Sequence, residues 1–201
     1  EWMHKDSTGK ELPCEVRFSR LPSDDKRLIR VSITDIAERT RNEALSFSQN
    51  KVLEMIAASA PQDRILRAIC RVVERIGDDF KAAIMRLDPE RNTLSVAQAP
   101  SLSDAFKLCL DFIKVDAESL TCGSAVHHRQ DRFTANISKD ENWSTARKEA
   151  EKHGIRAAWS CIVNGEAGRI IGTLDVYPNE CRVPTTDELD QLSRMAHLAG
   201  I

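Results

Sequence analysis

The chain has 201 residues, room for one full domain plus a fragment, and its 29 basic and 31 acidic side chains leave a net charge of −2. That balance excludes a general electrostatic draw toward nucleic acid, anionic lipid or an acidic substrate. No apolar run approaches the roughly 20 residues of a membrane helix and Glu1 to Lys5 lack a signal-peptide pattern, so the segment is expected to be soluble and cytoplasmic, without direct membrane contact.

Residues 11 to 19 alternate strictly, with Leu12, Cys14, Val16 and Phe18 on one face, which predicts a half-buried strand. Turn chemistry precedes it at Lys5 to Gly9 and follows it at Pro22 to Asp25. A further run, Leu28 to Thr34, points Ile29, Val31 and Ile33 one way, so three antiparallel strands joined by tight turns are expected. From Ala37 to Ser59 there is no proline or glycine. Leu45, Val52 and Met55 fall there on heptad-like positions, interrupted by Ser48 and Ser59. A parallel coiled coil and an amphipathic helix packed on its own domain both fit that spacing. A homodimer through this helix, the strands and the terminal helix would cover the apolar strand face.

After Pro61, a helix is predicted from Gln62 to Ile76, with Ile65, Ile69, Val72, Val73 and Ile76 at helical spacing and Gly77 ending it. Strands follow at Phe80 to Leu87 and Thr93 to Ala99, then a helix over Ser103 to Cys109, a short helix near Gly123 to Arg129, a strand at Arg132 to Ile137 and a helix from Ser144 to His153. Ala157 to Asn164 and Arg169 to Tyr177 should pair as a hairpin around Gly165 to Gly168. In the last helix Thr185 and Glu188 fit a capping box, and Leu189, Leu192, Met195, Ala196 and Ala199 form a buried stripe. The order predicts an α+β fold: an antiparallel sheet with helices near 40 to 76 and 186 to 201 on one face and the region from 100 to 155 on the other.

Six cysteines, at 14, 70, 109, 122, 161 and 181, form no C-x-x-C pair, so reduced thiols are expected. Gly123 permits a close backbone approach where helix N–H groups could also meet an anion. Trp143 and Trp159 could wall a small-molecule cavity or fill a core. On the last strand Thr173, Asp175 and Tyr177 share one face, where Asp175 could read a donor on a ligand, although a solvent-facing strand gives the same alternation. His127 and His128 are consecutive, about 100° apart on a helix, which is poor geometry for one metal ion. No phosphate loop, nucleophile elbow or H-E-x-x-H motif occurs.

Two sets of residues resemble known families. Ala99-Pro100-Ser101-Leu102, Thr121 to Val126, Trp143, His153 to Ser160 and Ile171-Gly172-Thr173-Leu174 resemble a GAF domain of the bacterial subgroup found between PAS and output domains. Ile33-Thr34-Asp35-Ile36 resembles the end of a PAS domain, where Asp35 and Ile36 would mark the signal junction and Ala37 stands in place of a usual Thr. The resemblance implies residues 1–36 as a PAS fragment, 37–59 as a signalling helix and 60–201 as the GAF domain. It further implies a sensory module of a cytoplasmic signal-transduction protein, binding an unknown small molecule and relaying to a histidine kinase or cyclic-di-GMP enzyme domain. Pocket candidates are then Cys122, Gly123, Trp143, Trp159, Thr173, Asp175 and Tyr177. The alternative is a ligand-free dimerising relay spacer, which a cavity filled by Trp159 and its neighbours would favour. A third possibility, free methionine sulfoxide reduction, needs a cysteine spacing that this chain does not match. The Cys-His pair of bilin-binding GAF domains and the Asn-Lys-Phe-Asp-Glu pattern of cyclic-nucleotide-binding ones are both missing. Neither bilin, heme nor metal is therefore expected. The chain departs from the subgroup at Ser124, Asn136 and Ile162, where Thr, Asp and Pro are usual.

Overall fold

A computed structural model describes residues 2–5, 7–9, 11–22, 27–77 and 79–201. The chain divides into two compact units, Glu1–Ser48 and Gln49–Ile201. The first holds β1 (Trp2–Lys5), β2 (Glu11–Leu21) and β3 (Leu28–Asp35), antiparallel in that order. The register sets Val16 against Ile33 and Phe18 against Val31, so the alternation read from the sequence gathers these side chains on one face. That face is buried only at the Cys14 end. Leu12 and Val16 beside it are partly buried, but Phe18 is 67% exposed and Ile33 57%, because no element of this unit lies over them, so the expected half-burial of β2 fails from Phe18 onward. The predicted turn residues Asp6 and Ser23 to Asp25 lie outside the described residues.

At the end of β3, Asp35 accepts a hydrogen bond from the Ala37 N–H at 2.8 Å, and the Ile36 N–H donates to the Pro13 carbonyl. The carboxylate thus satisfies the first free N–H of α1 (Ala37–Ala57) by a local bond two residues on, of the kind Asp makes at turns. Ile36 is buried. Leu45 and Val52, seven residues apart on α1, are also buried, whereas Phe47 and Leu53 are exposed.

The second unit is built on six antiparallel strands in the order β6-β5-β4-β9-β8-β7. They are β4 (Lys81–Asp88), β5 (Thr93–Gln98), β6 (Ile113–Lys114), β7 (Arg132–Thr134), β8 (Ala158–Asn164) and β9 (Ile170–Tyr177). Helices α2 (Gln62–Val73) and α6 (Thr186–Ala199) pack together over β4, β8 and β9. On the other face, α3 (Asp104–Cys109), α4 (Thr121–His128) and α5 (Arg147–Lys152) enclose a core that includes Met85, Phe106, Leu110, Trp143 and Tyr177. The predicted two-sided cover is therefore present, with α2 and α6 forming the first side.

Gly172 sits where β9 crosses closest to β4, since a Cβ there would stand 1.9 Å from the Met85 carbonyl oxygen. The capping box forms as expected: the Glu188 N–H donates to Thr185 Oγ1 and the Thr185 N–H to Glu188 Oε2. Three elements are shorter than their sequence patterns. α2 stops at Val73 and gives way to turns through Ile76. β7 has three residues, because the Asn136 and Asp140 side chains each cap a short 3-10 turn beyond it, and α5 has six, because turn bonds from the Ser144 N–H to the Glu141 carbonyl and from the Ala146 N–H to the Trp143 carbonyl precede it. Such side chains offer the backbone a local partner that competes with ladder or helix bonds.

Candidate ligand-binding site

The centre of the sheet carries a polar row in an apolar interior. Ser160 pairs with Asp175 across β8 and β9, and Thr173 and Tyr177 flank Asp175 on the same face of β9. Ser160, Thr173, Asp175 and Tyr177 are all at most 2% exposed. Thr173 Oγ1 donates to Asp175 Oδ2 at 3.2 Å, whereas Asp175 Oδ1 has no hydrogen-bond partner among the described residues. Burial pushes the Asp175 carboxyl up to about 7, although the hydroxyls of Ser160, Thr173 and Tyr177 act to lower it. A buried carboxyl with one unanswered oxygen is costly, and an incoming N–H or ammonium group is the partner that would offset the cost.

Above this row lies the start of α4. Cys122 is buried there, and its thiol stands well above the ordinary value because of burial and then the nearby Asp175 charge. Gly123 has a different task from pocket lining: a Cβ would meet the Lys114 carbonyl oxygen at 2.4 Å and Ser119 Oγ at 2.6 Å, so only glycine lets the 114–119 segment pass so close. Trp143 lies edge-on to Tyr177, ring centroids 6.4 Å apart, and Tyr177 is edge-on to Phe106 at 5.4 Å.

The Trp143 indole begins a chain of donors that sequence reading did not foresee. Nε1 donates to Thr121 Oγ1, which contacts Thr134 Oγ1, which donates to Asp140 Oδ2, each at 2.9 Å. Indole nitrogen only donates and an ionised carboxylate only accepts, so the central hydroxyl pair must run from Thr121 to Thr134. The chain fixes Trp143 and the first residue of α4. The cover is latched at a second point, where Ser103, the N-cap of α3, bonds His153 Nε2 at 2.8 Å and that same nitrogen lies 3.0 Å from Glu149 Oε1. Serine and carboxylate share one ring nitrogen, which is the wiring of a clasp and not of a nucleophilic triad.

Trp159 is not part of this cluster. The register sets it against Val176, on the face that packs under α2 and α6, where its ring meets Phe80 edge-on at 5.2 Å, lies under Arg182 and donates to the Arg182 carbonyl. The sheet thus brings together Cys122, Trp143, Thr173, Asp175 and Tyr177, separates Trp159, and gives Gly123 to packing. Ser160, Thr121 and Thr134 join the cluster, and only the strand register reveals them.

The buried cysteines are poorly set to act as nucleophiles. The cysteines are free of disulfides, and burial pushes Cys70 up to about 12 and Cys161 higher still. The exposed His127 and His128 rings stand 85° apart. Among the described residues, no group of three or more His, Cys, Asp or Glu is placed to hold a metal ion, and no helix is long and apolar enough to cross a membrane.

Family comparison agrees with this architecture. The GAF domain model matches residues 59–201, and the chain belongs to the GAF domain family. It is 32% identical over 169 residues to the methyl sulfide methyltransferase-associated sensor of Methanosarcina acetivorans, a match that takes in 84% of this chain but only 17% of that sensor. The fold is shared with a domain assigned to a two-component sensor histidine kinase protein of Sinorhizobium meliloti, at 18% identity and a TM-score of 0.56 over 68% of this chain and 86% of that one. It is also shared with free methionine-R-sulfoxide reductase from Neisseria meningitidis in complex with its substrate, at 15% identity and a TM-score of 0.60 over 80% and 86%.

Proposed function

We propose that this chain is the sensory segment of a cytoplasmic signal-transduction protein, in which a small molecule bearing a hydrogen-bond donor binds between the central sheet and α4. The unpartnered, fully buried Asp175 Oδ1 carries the reading. Trp143 and Tyr177 would wall the ligand, Thr173 and Ser160 would hold the carboxyl, and the latch at Ser103 and His153 would have to open for entry. Binding that favours one arrangement of the cover over another would move α4 and, through the sheet, α6. A differential of about 1–3 kcal/mol between arrangements is enough for useful coupling.

In this proposal residues 1–36 are the end of a PAS domain, α1 is the signalling helix and an output domain, histidine kinase or cyclic-di-GMP enzyme, receives the signal. Support comes from the passage of β3 straight into α1 through Asp35 and Ile36, and from the open apolar face around Phe18 and Ile33, which the rest of such a domain would cover. A homodimer through α1 and α6 belongs to the same reading, as does an absence of bilin, heme or metal.

Thermal-shift screening of a metabolite collection on the 201-residue chain and on Asp175→Asn tests the proposal. Compounds that stabilise the wild type and lose their effect in the variant are the expected result. If nothing stabilises either protein, the second reading stands: a ligand-free relay spacer, favoured by the filling of the interior by Phe106, Trp143 and Tyr177.

A further inference from the structure

A second recess lies away from Asp175, where the end of α4, the edge of β8 and α6 meet around a cleft of about 460 Å³. It exists because β7 is short. Pairing between β7 and β8 ends at Arg132 and Ser160, so the remaining edge of β8 is open, and Asp131 closes part of it by accepting the Ile162 N–H at 2.8 Å. Ile162, Ile170 and Ala196 give the recess an apolar floor.

Its rim is polar, with the cation Arg129 beside Gln130, Asn164, Ser193 and His197, each of which can turn a donor inward. Among the described residues none of these side chains makes a hydrogen bond or ion pair, and the one acid, Asp131, is engaged by the strand edge. The Arg129 cation among side chains that can donate suits an acceptor-rich, negatively charged guest.

Arg129 is also held in an unusual backbone state. It follows the last residue of α4 in the left-handed conformation, φ 54° and ψ 38°, fixed by bonds from its N–H to the Val126 carbonyl and from the Gln130 N–H to the Ala125 carbonyl. Glycine would take that position without steric cost. A long cationic side chain stands there instead, projecting from a rigid turn at the lip of a cleft.

We infer that this cleft is a second binding site, for a small oxyanion bearing phosphate or carboxylate groups, held by Arg129 and His197 with Gln130, Asn164 and Ser193 supplying further donors. The volume sits at the lower end of ligand pockets, which suits a small organic or inorganic anion. Arg129 ends the helix whose first turn carries Cys122, and Ser193 and His197 lie on α6, so a bound oxyanion ties the end of α4 to α6. The site needs nothing from Asp175 and stands whether or not the sheet centre takes a ligand.

The test titrates the 201-residue chain with sodium phosphate and with sodium succinate, ionic strength held constant with sodium chloride, following heat and thermal midpoint. Saturable binding of at least one anion, with a midpoint that rises with its concentration, is expected. Arg129→Gln and His197→Gln should each weaken it by about tenfold or more. Arg129→Gly separates binding from folding: it relieves the left-handed strain, so the anion-free midpoint should hold or rise while the anion effect disappears. Binding of phosphate alone assigns the site to phosphoryl groups and of succinate alone to carboxylates, both in its favour. No saturable binding of either anion, or binding unchanged in Arg129→Gly, overturns it.

Discussion

Replacing Asp175 by Asn is expected to make the protein more stable at alkaline pH and to leave it nearly unchanged in acid. Burial holds the carboxyl at about 7 in the folded chain against an ordinary 3.8. Because the folded value is the higher one, the native state binds more protons than the unfolded state between these limits, and stability falls as pH rises through them. The favourable contribution is complete below about pH 4 and gone above about pH 8, with a limiting slope of about 1.4 kcal/mol per pH unit. Three units give about 4 kcal/mol as the cost of the buried charge. Asn has nearly the same shape and no charge, so the variant should match the wild type near pH 4 and exceed it by up to about 4 kcal/mol near pH 8, or roughly 8 °C or more in thermal midpoint. Urea unfolding at intervals across that range, read by the fluorescence of the buried Trp143 and Trp159, measures the difference and cancels the histidines common to both proteins. Stability curves that run parallel from pH 4 to 8 would refute the assignment of a costly carboxylate to this face.

Three further substitutions probe the framework. Thr121→Val strands the buried Trp143 N–H, whose partner is 2.9 Å away, and should cost about 1–3 kcal/mol in chemical denaturation. Gly172→Ala drives a Cβ to within 1.9 Å of the Met85 carbonyl oxygen and should cost about 3 kcal/mol or prevent folding, seen as loss of the cooperative transition. Thr185→Ala removes one half of the capping box and should lower stability by about 1 kcal/mol, with faster hydrogen exchange confined to the first turn of α6.

Much of this protein is legible residue by residue. The alternation of β2 and β3, the strand that turns at Asp35 into α1, the hairpin of β8 and β9 and the Thr185 capping box all arise from contacts between near neighbours, whose geometry a sequence period encodes directly. The polar row on β9 was readable for the same reason. Two tryptophans show where that reasoning ends. Trp143 and Trp159 look alike as candidates, yet one touches Tyr177 and the other packs with Phe80 and Arg182 on the opposite face. The choice is made by register, because a shift of one residue between β8 and β9 exchanges the faces and nothing within β8 itself sets that shift.

The same limit explains the other departures. Asn136 and Asp140 cap the turns that follow the shortened β7, a competition between side-chain and backbone partners that composition does not decide. Periodicity shows that Phe18 and Ile33 share a face but not whether anything covers it. The sequence alone therefore determined the elements, the family and the chemistry available on each strand. Only the tertiary structure decided which of those groups meet, leaving Asp175 buried with an unanswered oxygen and Arg129 at the lip of a separate cleft, because long-range pairing and burial are properties of the assembled sheet and not of any one segment.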